Sequence, residues 1–284
     1  MEMQQNSAMM AITDQEFNAL RKLIYDRFGI NLTDEKRSLL VGRLQKMLRD
    51  KKLGSFQSYY EHLKTDTSGA AVSNLINLVS TNYTYFNREK DHFDFFYKTA
   101  LPAVCADLTK QKRKDLRIWC AGCSTGEEPY TLLMLMHEYL GSHYKEWDAG
   151  ILATDISEQV LQKAQQGVYA ADKVSSLPEN LRHKYFKKCA NGQMQVCDEL
   201  RQEVTFRRFN LMNKTFPFKK PFQIIFCRNV MIYFDQQTRN ALVQRFHHNM
   251  EPAGYFFIGH SETLGRDSEL FHYLLPAAYQ KGLD

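Results

Sequence analysis

Apolar residues fall along this 284-residue chain in two regimes. In the first they recur at helical spacing. Thr13 with Glu16 makes a capping box, and Phe17, Leu20, Ile24 and Phe28 follow three or four apart up to Gly29. Thr33 starts a second helix with Leu40, Val41, Leu44, Met47 and Leu48 on one stripe and Gly54 beyond its end. Ser55 caps a third helix carrying Phe56, Tyr59, Tyr60 and Leu63, and a fourth runs from Val72 to Val79. Residues 1–11 lack such a pattern and are expected to fray. The first 80 residues therefore predict a small helical domain. A polar, aromatic stretch, Thr81–Glu89, follows, and the second domain (81–284) is placed from here, with this stretch as a lid across its mouth. Phe93, Phe96 and Tyr97 then mark a helix, and Pro102 opens a further helical turn.

From Leu116 onward short apolar runs alternate with amphipathic ones. Strands are predicted over 116–120, 149–154, 204–209, 222–227 and 255–259, with a last one near 277–281. Helices are predicted over 127–140, after Ser157, and after Asp235. Strand and helix in alternation argue an α/β fold with a parallel, doubly wound sheet. The alternation breaks between Gly167 and Glu203. A short helix end and a hairpin around Asn191-Gly192 read there as a small inserted β-subdomain, about residues 185–203.

Polar residues cluster at the carboxyl ends of the strands, where open α/β sheets bind ligands. Those ends read Gly122–Glu128, Asp155, Asn210-Leu211 and Arg228–Tyr233. The first is a small-residue turn into a helix, which lets a ligand approach backbone N–H groups. Glu127 and Glu128 at its mouth sit poorly beside a pyrophosphate. They suit a ligand with a positive amino or sulfonium group. Asp155, ending the second of these strands, suits a ribose, since both hydroxyls can donate to one carboxylate. Gly122–Gly126 also matches G-x-S-x-G, the nucleophile elbow of α/β-hydrolases. Ser124, Asp235 and His260 stand in the chain order of that triad, but no plausible set of strands and no HGGG-like motif precedes the elbow.

Composition adds exclusions. Hydrophobic residues at 44% and charged ones at 24% describe an ordinary globular protein. No apolar run reaches the roughly 20 residues of a membrane span, and the N-terminus has no signal-peptide pattern. The six cysteines are scattered; the Cys120–Cys123 spacing lacks a second pair, so no metal is expected and reduced thiols in a cytoplasmic protein are. The net charge of +5 does not by itself imply nucleic acid. It is unevenly placed: from Lys36 to Lys52 there are seven basic residues and one acid, Asp50. A solvated helix face and a docking face are both open readings of that run.

TNYTYFNRE, STGEEPY, ATDIS, FNL, IIFCRNVMIYFD and GHSE, in this order, closely resemble the CheR family of bacterial chemotaxis receptor methyltransferases. The resemblance runs from about residue 12 to the end. It implies a Rossmann-like methyltransferase domain after the helical one. It also implies a protein-glutamate O-methyltransferase, moving a methyl group from S-adenosyl-L-methionine to glutamates on the cytoplasmic helices of methyl-accepting chemotaxis receptors. The products would be the glutamyl methyl ester and S-adenosyl-L-homocysteine. Carried over by motif, Asn82, Thr84 and Arg88 would surround the cofactor from the lid. Glu128 would face its amino-acid end, Asp155 its ribose, and Asn210 and Leu211 its adenine. Arg228 and Asn229 would line the pocket, with Tyr233 near the transferred methyl. Arg88 and Tyr233 are expected to orient the acceptor carboxylate. Lys36, Arg43, Lys46 and Arg49 become candidates for contact with acidic receptor helices. The turn CANGQMQ is short, so the hairpin is not expected to grip a receptor C-terminal peptide as some relatives do. A monomer is expected. Outside the enzyme reading stands a non-catalytic regulator that only binds the cofactor.

Overall fold

A computed structural model describes residues 10–265 and 268–283. The chain divides into two compact units, Met1–Thr81 and Asn82–Asp284. The first packs four helices, α1 (Asp14–Phe28), α2 (Arg37–Asp50), α3 (Phe56–Thr65) and α4 (Ala70–Val79). Thr13 and Glu16 form the reciprocal capping box at the start of α1, and Gly29 ends it at φ 70°. Phe17, Leu20, Leu44, Phe56, Leu75 and Ile76 are all buried in this unit. Of the expected frayed start, residues 1–9 lie outside the described residues. Met10 departs from that expectation. Its N–H donates to Gln45 Oε1 at 3.2 Å and its carbonyl accepts from Gln45 Nε2 at 2.6 Å, so a side-chain amide on α2 stands in for a backbone partner.

The basic residues on and before α2 differ in their surroundings. Helix α4 ends with carbonyls that have no N–H partner within the helix. Arg43 Nη1 donates to the carbonyls of Leu78, Val79 and Ser80 at 3.2, 2.9 and 3.2 Å, and its Nη2 to Thr81 Oγ1 at 3.2 Å. This arginine caps the neighbouring helix. Lys46 and Arg49 are exposed and Lys36 is half-buried.

The second unit opens with α5 (Lys90–Phe95), which passes through a π segment, Phe96–Ala100, into α6 (Leu101–Lys110). The wide turn precedes Pro102, which has no N–H to continue an α-helical ladder. The core elements follow: β1 (Asp115–Ala121), α7 (Glu127–Leu140), β2 (Asp148–Asp155) and α8 (Glu158–Gln166). Next come β3 (Val168–Tyr169), α9 (Ala171–Val174), α10 (Glu179–Tyr185), β4 (Phe186–Lys188), β5 (Met194–Val196) and α11 (Asp198–Glu203). The chain closes with β6 (Val204–Arg208), β7 (Phe222–Cys227), α12 (Gln236–His248), β8 (Met250–Ile258), β9 (Phe271–Leu275) and β10 (Ala278–Lys281).

The large sheet has the order β6-β2-β1-β7-β8-β10-β9. From β6 to β8 all neighbours are parallel, and β8-β10-β9 are antiparallel. The sheet is thus mixed at one edge, where the sequence showed a single last strand. Strand β9 was missed because FHYLL alternates buried and exposed residues at a sheet edge and lacks the continuous apolar run of the interior strands. β7, FQIIFC, is buried at every position. Gln223 is tolerated there because its Oε1 accepts from Arg117 N–H at 2.7 Å and its Nε2 donates to Glu251 at 2.8 Å. Trp119 is fully buried and donates to Thr154 Oγ1 at 2.9 Å, with Phe209, Phe216, Phe218, Phe222 and Phe246 packed around it.

A small antiparallel sheet, β3-β5-β4, stands apart from the large one. It contains the expected hairpin and also recruits Val168–Tyr169, so it begins before residue 185. No helix among the described residues is long and apolar enough to cross a membrane.

Replacing Arg43 by Ala is expected to destabilise the helical unit by about 1–2 kcal/mol, through lost charge-assisted hydrogen bonds. Lys46→Ala, at an exposed position, should stay within about 0.5 kcal/mol. Urea unfolding followed by circular dichroism compares them, and equal midpoints would refute the capping role.

Candidate active site

The chain leaves β1, runs out to β2 and β6, then returns to place β7 on the other side of β1. At such a reversal, beside the carboxyl ends of β1 and β7, open α/β sheets hold ligands in a crevice. Three segments converge there: the turn Gly122–Gly126, Asp155 at the end of β2, and Arg228–Tyr233 after β7.

The glycine turn folds over the end of β2. Gly122 and Cys123 donate to the Thr154 carbonyl at 2.7 and 2.9 Å. Ser124 N–H donates to Asp155 Oδ2 at 2.9 Å, and Ser157 N–H to Asp155 Oδ1 at 2.9 Å. Ile156 N–H is a third backbone donor, and this buried carboxylate keeps the rest of its acceptor capacity for a hydroxyl. Gly122 has φ 89°, and a Cβ there would lie 2.4 Å from a methyl of Val230, so the close approach of the two loops requires glycine. Ser124 Oγ donates to the Asn82 carbonyl at 3.0 Å, tying the start of the 82–89 segment to the turn. Thr84 is half-buried in that segment. Asn210 Oδ1 accepts from Met212 N–H at 3.0 Å, shaping the loop after β6, and Leu211 is buried beside it.

Arg228 is the hub. Its Nη1 lies 2.9 Å from Glu128 Oε2 and its Nη2 3.0 Å from Glu89 Oε2, with the guanidinium side chain 3% exposed. Nη2 also donates to the Arg88 carbonyl. Asn229 Nδ2 donates to the other oxygen of Glu89 at 3.1 Å. The sequence reading missed Glu89; its only signal was its place after Arg88 in the NRE motif. Burial alone would push the Glu89 carboxyl up, but the Arg228 charge and the bonds from Asn229 and Arg228 hold it below the usual range. At Glu128 desolvation outweighs Arg228 and keeps the carboxyl above that range. Burial likewise pushes Asp155 up against its backbone donors, and Glu127 up against the Thr125 hydroxyl. The crevice therefore holds more carboxylate than cation.

Arg88 itself points another way. Its Nη1 donates to the Tyr83 carbonyl at 2.8 Å, and its guanidinium lies 5.9 and 6.0 Å from the ring centres of Tyr83 and Tyr85. Tyr233 is half-buried at the end of the 3₁₀ turn Met231–Tyr233. That turn is held by Glu262, another residue the sequence reading quoted within GHSE but gave no role. Glu262 Oε2 accepts from Asn229 N–H at 2.9 Å and Oε1 from Ile232 N–H at 3.1 Å.

Two other chemistries were weighed. A hydrolase needs Ser124 to donate to His260 and His260 to Asp235. Ser124 instead bonds Asn82, His260 Nε2 lies 3.0 Å from Asp91, and Asp235 caps α12 through Thr238 N–H at 2.8 Å. Glu89, His92 and His260 come close enough to share a metal ion. The Arg228 guanidinium already neutralises Glu89 from 3.0 Å and would repel a second cation. Burial and Arg228 drive His92 down to about 4, and its Nε2 is engaged with the Pro276 carbonyl at 3.2 Å.

The family profile described as CheR methyltransferase, SAM binding domain, matches residues 82–278, and the CheR methyltransferase all-alpha domain matches residues 15–80. The chain belongs to the CheR methyltransferase family. It is 42% identical to the chemotaxis protein methyltransferase of Borreliella burgdorferi over 95% of each chain. It is 36% identical to that of Escherichia coli over 91% of this chain and 88% of the other. Among solved structures, magnesium protoporphyrin IX methyltransferase from Synechocystis, with SAH bound, covers 75% of this chain and 70% of its own at 14% identity. Its TM-score of 0.31 is too low to argue from.

The protein is thus an S-adenosylmethionine-dependent methyltransferase of the CheR type, and its crevice suits that cofactor. Asp155 keeps acceptor capacity for a hydroxyl beyond its backbone donors, and the excess of carboxylate over guanidinium complements a sulfonium and an ammonium. A diol bonded to Asp155 requires the ionised form. Because burial raises that carboxyl, affinity for S-adenosylhomocysteine should weaken, by up to about tenfold per pH unit, as pH falls through a midpoint above the ordinary aspartate value. Calorimetric titration from pH 8 to pH 5, with Asp155→Ala as the weak-binding control, measures this. A flat profile would exclude a titrating Asp155.

Proposed function

We propose that this enzyme methylates the side-chain carboxylates of particular glutamates on the cytoplasmic helices of chemoreceptors. The observation that carries the reading is Arg88, a cation with a quarter of its side chain exposed beside an otherwise acidic crevice. An anionic acceptor needs such a group, and Arg228 is already committed to two carboxylates. Relatives covering most of this chain are named chemotaxis protein methyltransferases, which supports receptors as the acceptors. The enzyme would work as a cytoplasmic monomer.

The cofactor, when bound, supplies a methyl group on a sulfonium. A glutamate oxygen forms the new O–CH3 bond, the CH3–S bond breaks, and its electron pair stays on sulfur. The glutamate is ionised at neutral pH, with a reference value near 4.3, so no general base is needed. What the protein must supply is orientation, which can be worth roughly 7–11 kcal/mol. Asp155 and Glu128 would hold the cofactor's hydroxyls and amino group. Asn82, Thr84, Asn210 and Leu211 would frame it, and Asn229 would keep Arg228 and Glu89 in place. Arg88 would aim the acceptor carboxylate by charge-assisted hydrogen bonds, with Tyr233 at the transferred methyl. The acidic receptor helices would meet the basic face of α2 through Lys36, Lys46 and Arg49. Arg43 adds its charge to that face while capping α4.

Arg88→Ala and Tyr233→Phe should each lower methyl-transfer turnover by about 10- to 100-fold. Affinity for S-adenosylhomocysteine should stay within a few-fold. Turnover on a receptor fragment and calorimetry separate the two effects, and near-normal turnover in both variants would sink the positioning account. Reversing charge at Lys46 and Arg49 together should weaken receptor methylation and flatten its salt dependence. An unchanged salt profile would remove α2 from the contact. Arg43 is left intact in that variant because its loss would also disturb α4.

A further inference from the structure

We infer that Glu262 is a positioning residue for methyl transfer, a buried carboxylate that sets the loop carrying Tyr233. The inference rests on the reading of Tyr233 given above. Glu262 is 7% exposed and lies in the loop after β8. Its Oε2 accepts from the backbone N–H groups of Gly259 and Asn229, and its Oε1 accepts from Ile232 N–H. Met231 N–H is a fourth backbone partner, so four backbone donors on two segments converge on one side chain, and Ile232 is the residue before Tyr233.

The loop needs such a clamp. Asn229 has φ 57°, a left-handed conformation that costs a non-glycine residue energy unless its surroundings fix it. Its N–H goes to Glu262 and its side-chain amide to Glu89, so both ends of the residue are held by acids from distant parts of the chain. Gly259 completes the seat: a Cβ there would fall 2.3 Å from Asn229 Nδ2. After Asn229, the 3₁₀ turn Met231–Tyr233 offers little inner hydrogen bonding of its own beyond Tyr233 N–H to Val230 O at 3.2 Å and Phe234 N–H to Met231 O at 3.1 Å. The Ile232 N–H bond to Glu262 therefore fixes where the turn begins. A displacement of about 1 Å at a reacting group can cost 10²-fold in rate.

The test uses the full chain with Glu262→Gln, which keeps the shape but turns an amide NH2 toward at least one of the donors. Glu262→Asp, shorter by one methylene, retains charge and serves as the conservative variant. Three quantities are read: amide hydrogen exchange at 229–233, affinity for S-adenosylhomocysteine, and turnover on a receptor fragment. Glu262→Gln should speed exchange at 229–233 selectively, hold affinity within about threefold and lower kcat by about 10- to 100-fold. Glu262→Asp should recover part of that loss. Unchanged exchange would overturn the clamp. Faster exchange with normal kcat would leave the residue structural only and overturn the proposal, as would affinity and kcat falling in equal proportion. Wild-type protein that binds the cofactor product yet transfers nothing to receptor would instead indict the acceptor assignment.

Discussion

The site depends on one arginine between two glutamates. Arg228 comes from the end of β7, Glu128 from the first turn of α7, and Glu89 from the segment ahead of α5. Burying a guanidinium at 3% exposure is costly unless its charge is matched, and removing one partner of such a set strands the others. Here the matching is excessive, with two carboxylates for one cation. A purely structural pair would need one. The surplus negative charge fits a cluster that fixes three segments to each other and still favours a cationic ligand.

The backbone around this hub is unusual for the same reason. Glu89, Ser124 and Asn229 all adopt φ between 48° and 57° without being glycine. Each has its N–H or side chain taken by a member of the network: Ser124 by Asp155, Asn229 by Glu262 and Glu89, and Glu89 by Arg228. Strain of this kind persists where surrounding bonds over-determine the conformation. At Glu89, Ser124 and Asn229 the network thus holds the loops that carry them, whereas other non-glycine residues with positive φ, such as Lys52 and Lys112, lie elsewhere.

The interior of the sheet was legible in the sequence because a parallel strand buried on both faces is a continuous apolar run with a polar stop. FQIIFC before Arg228-Asn229 shows this directly. The polar stops then placed Asp155, Glu128 and Arg228 at strand ends or helix starts. Glu89 and Glu262 were not legible as site residues. Their partners lie 139 and 33 residues away, and in the case of Glu262 are backbone N–H groups, which carry no side-chain signature. Arg43 shows the opposite failure. A charge run was visible, but a capping arginine and a docking arginine look alike in sequence, and only the carbonyls of α4 tell them apart. The two-residue β3 escaped because it is too short to show a period, and the edge strand β9, FHYLL, because His272 breaks its short apolar run.

An acidic crevice poses a problem for the proposed acceptor. The features that suit a sulfonium also repel a carboxylate nucleophile. Burial raises Asp155, Glu127 and Glu128, so each carries its charge less readily than an exposed carboxyl would. The cofactor's own positive charge eases the repulsion. In the proposed reading the remainder falls to Arg88, which is joined by its carbonyl to Arg228 while its guanidinium lies over exposed Tyr83 and Tyr85. One backbone unit thus separates a buried cation that organises the cofactor site from a partly exposed one free of a strong carboxylate bond. Its nearest acid contact, Glu89, stands at 4.0 Å. If Arg88 aims the acceptor as proposed, its place on the same strap as Glu89 would couple acceptor orientation to assembly of the hub, and a disordered hub would also lose its means of attracting an anion.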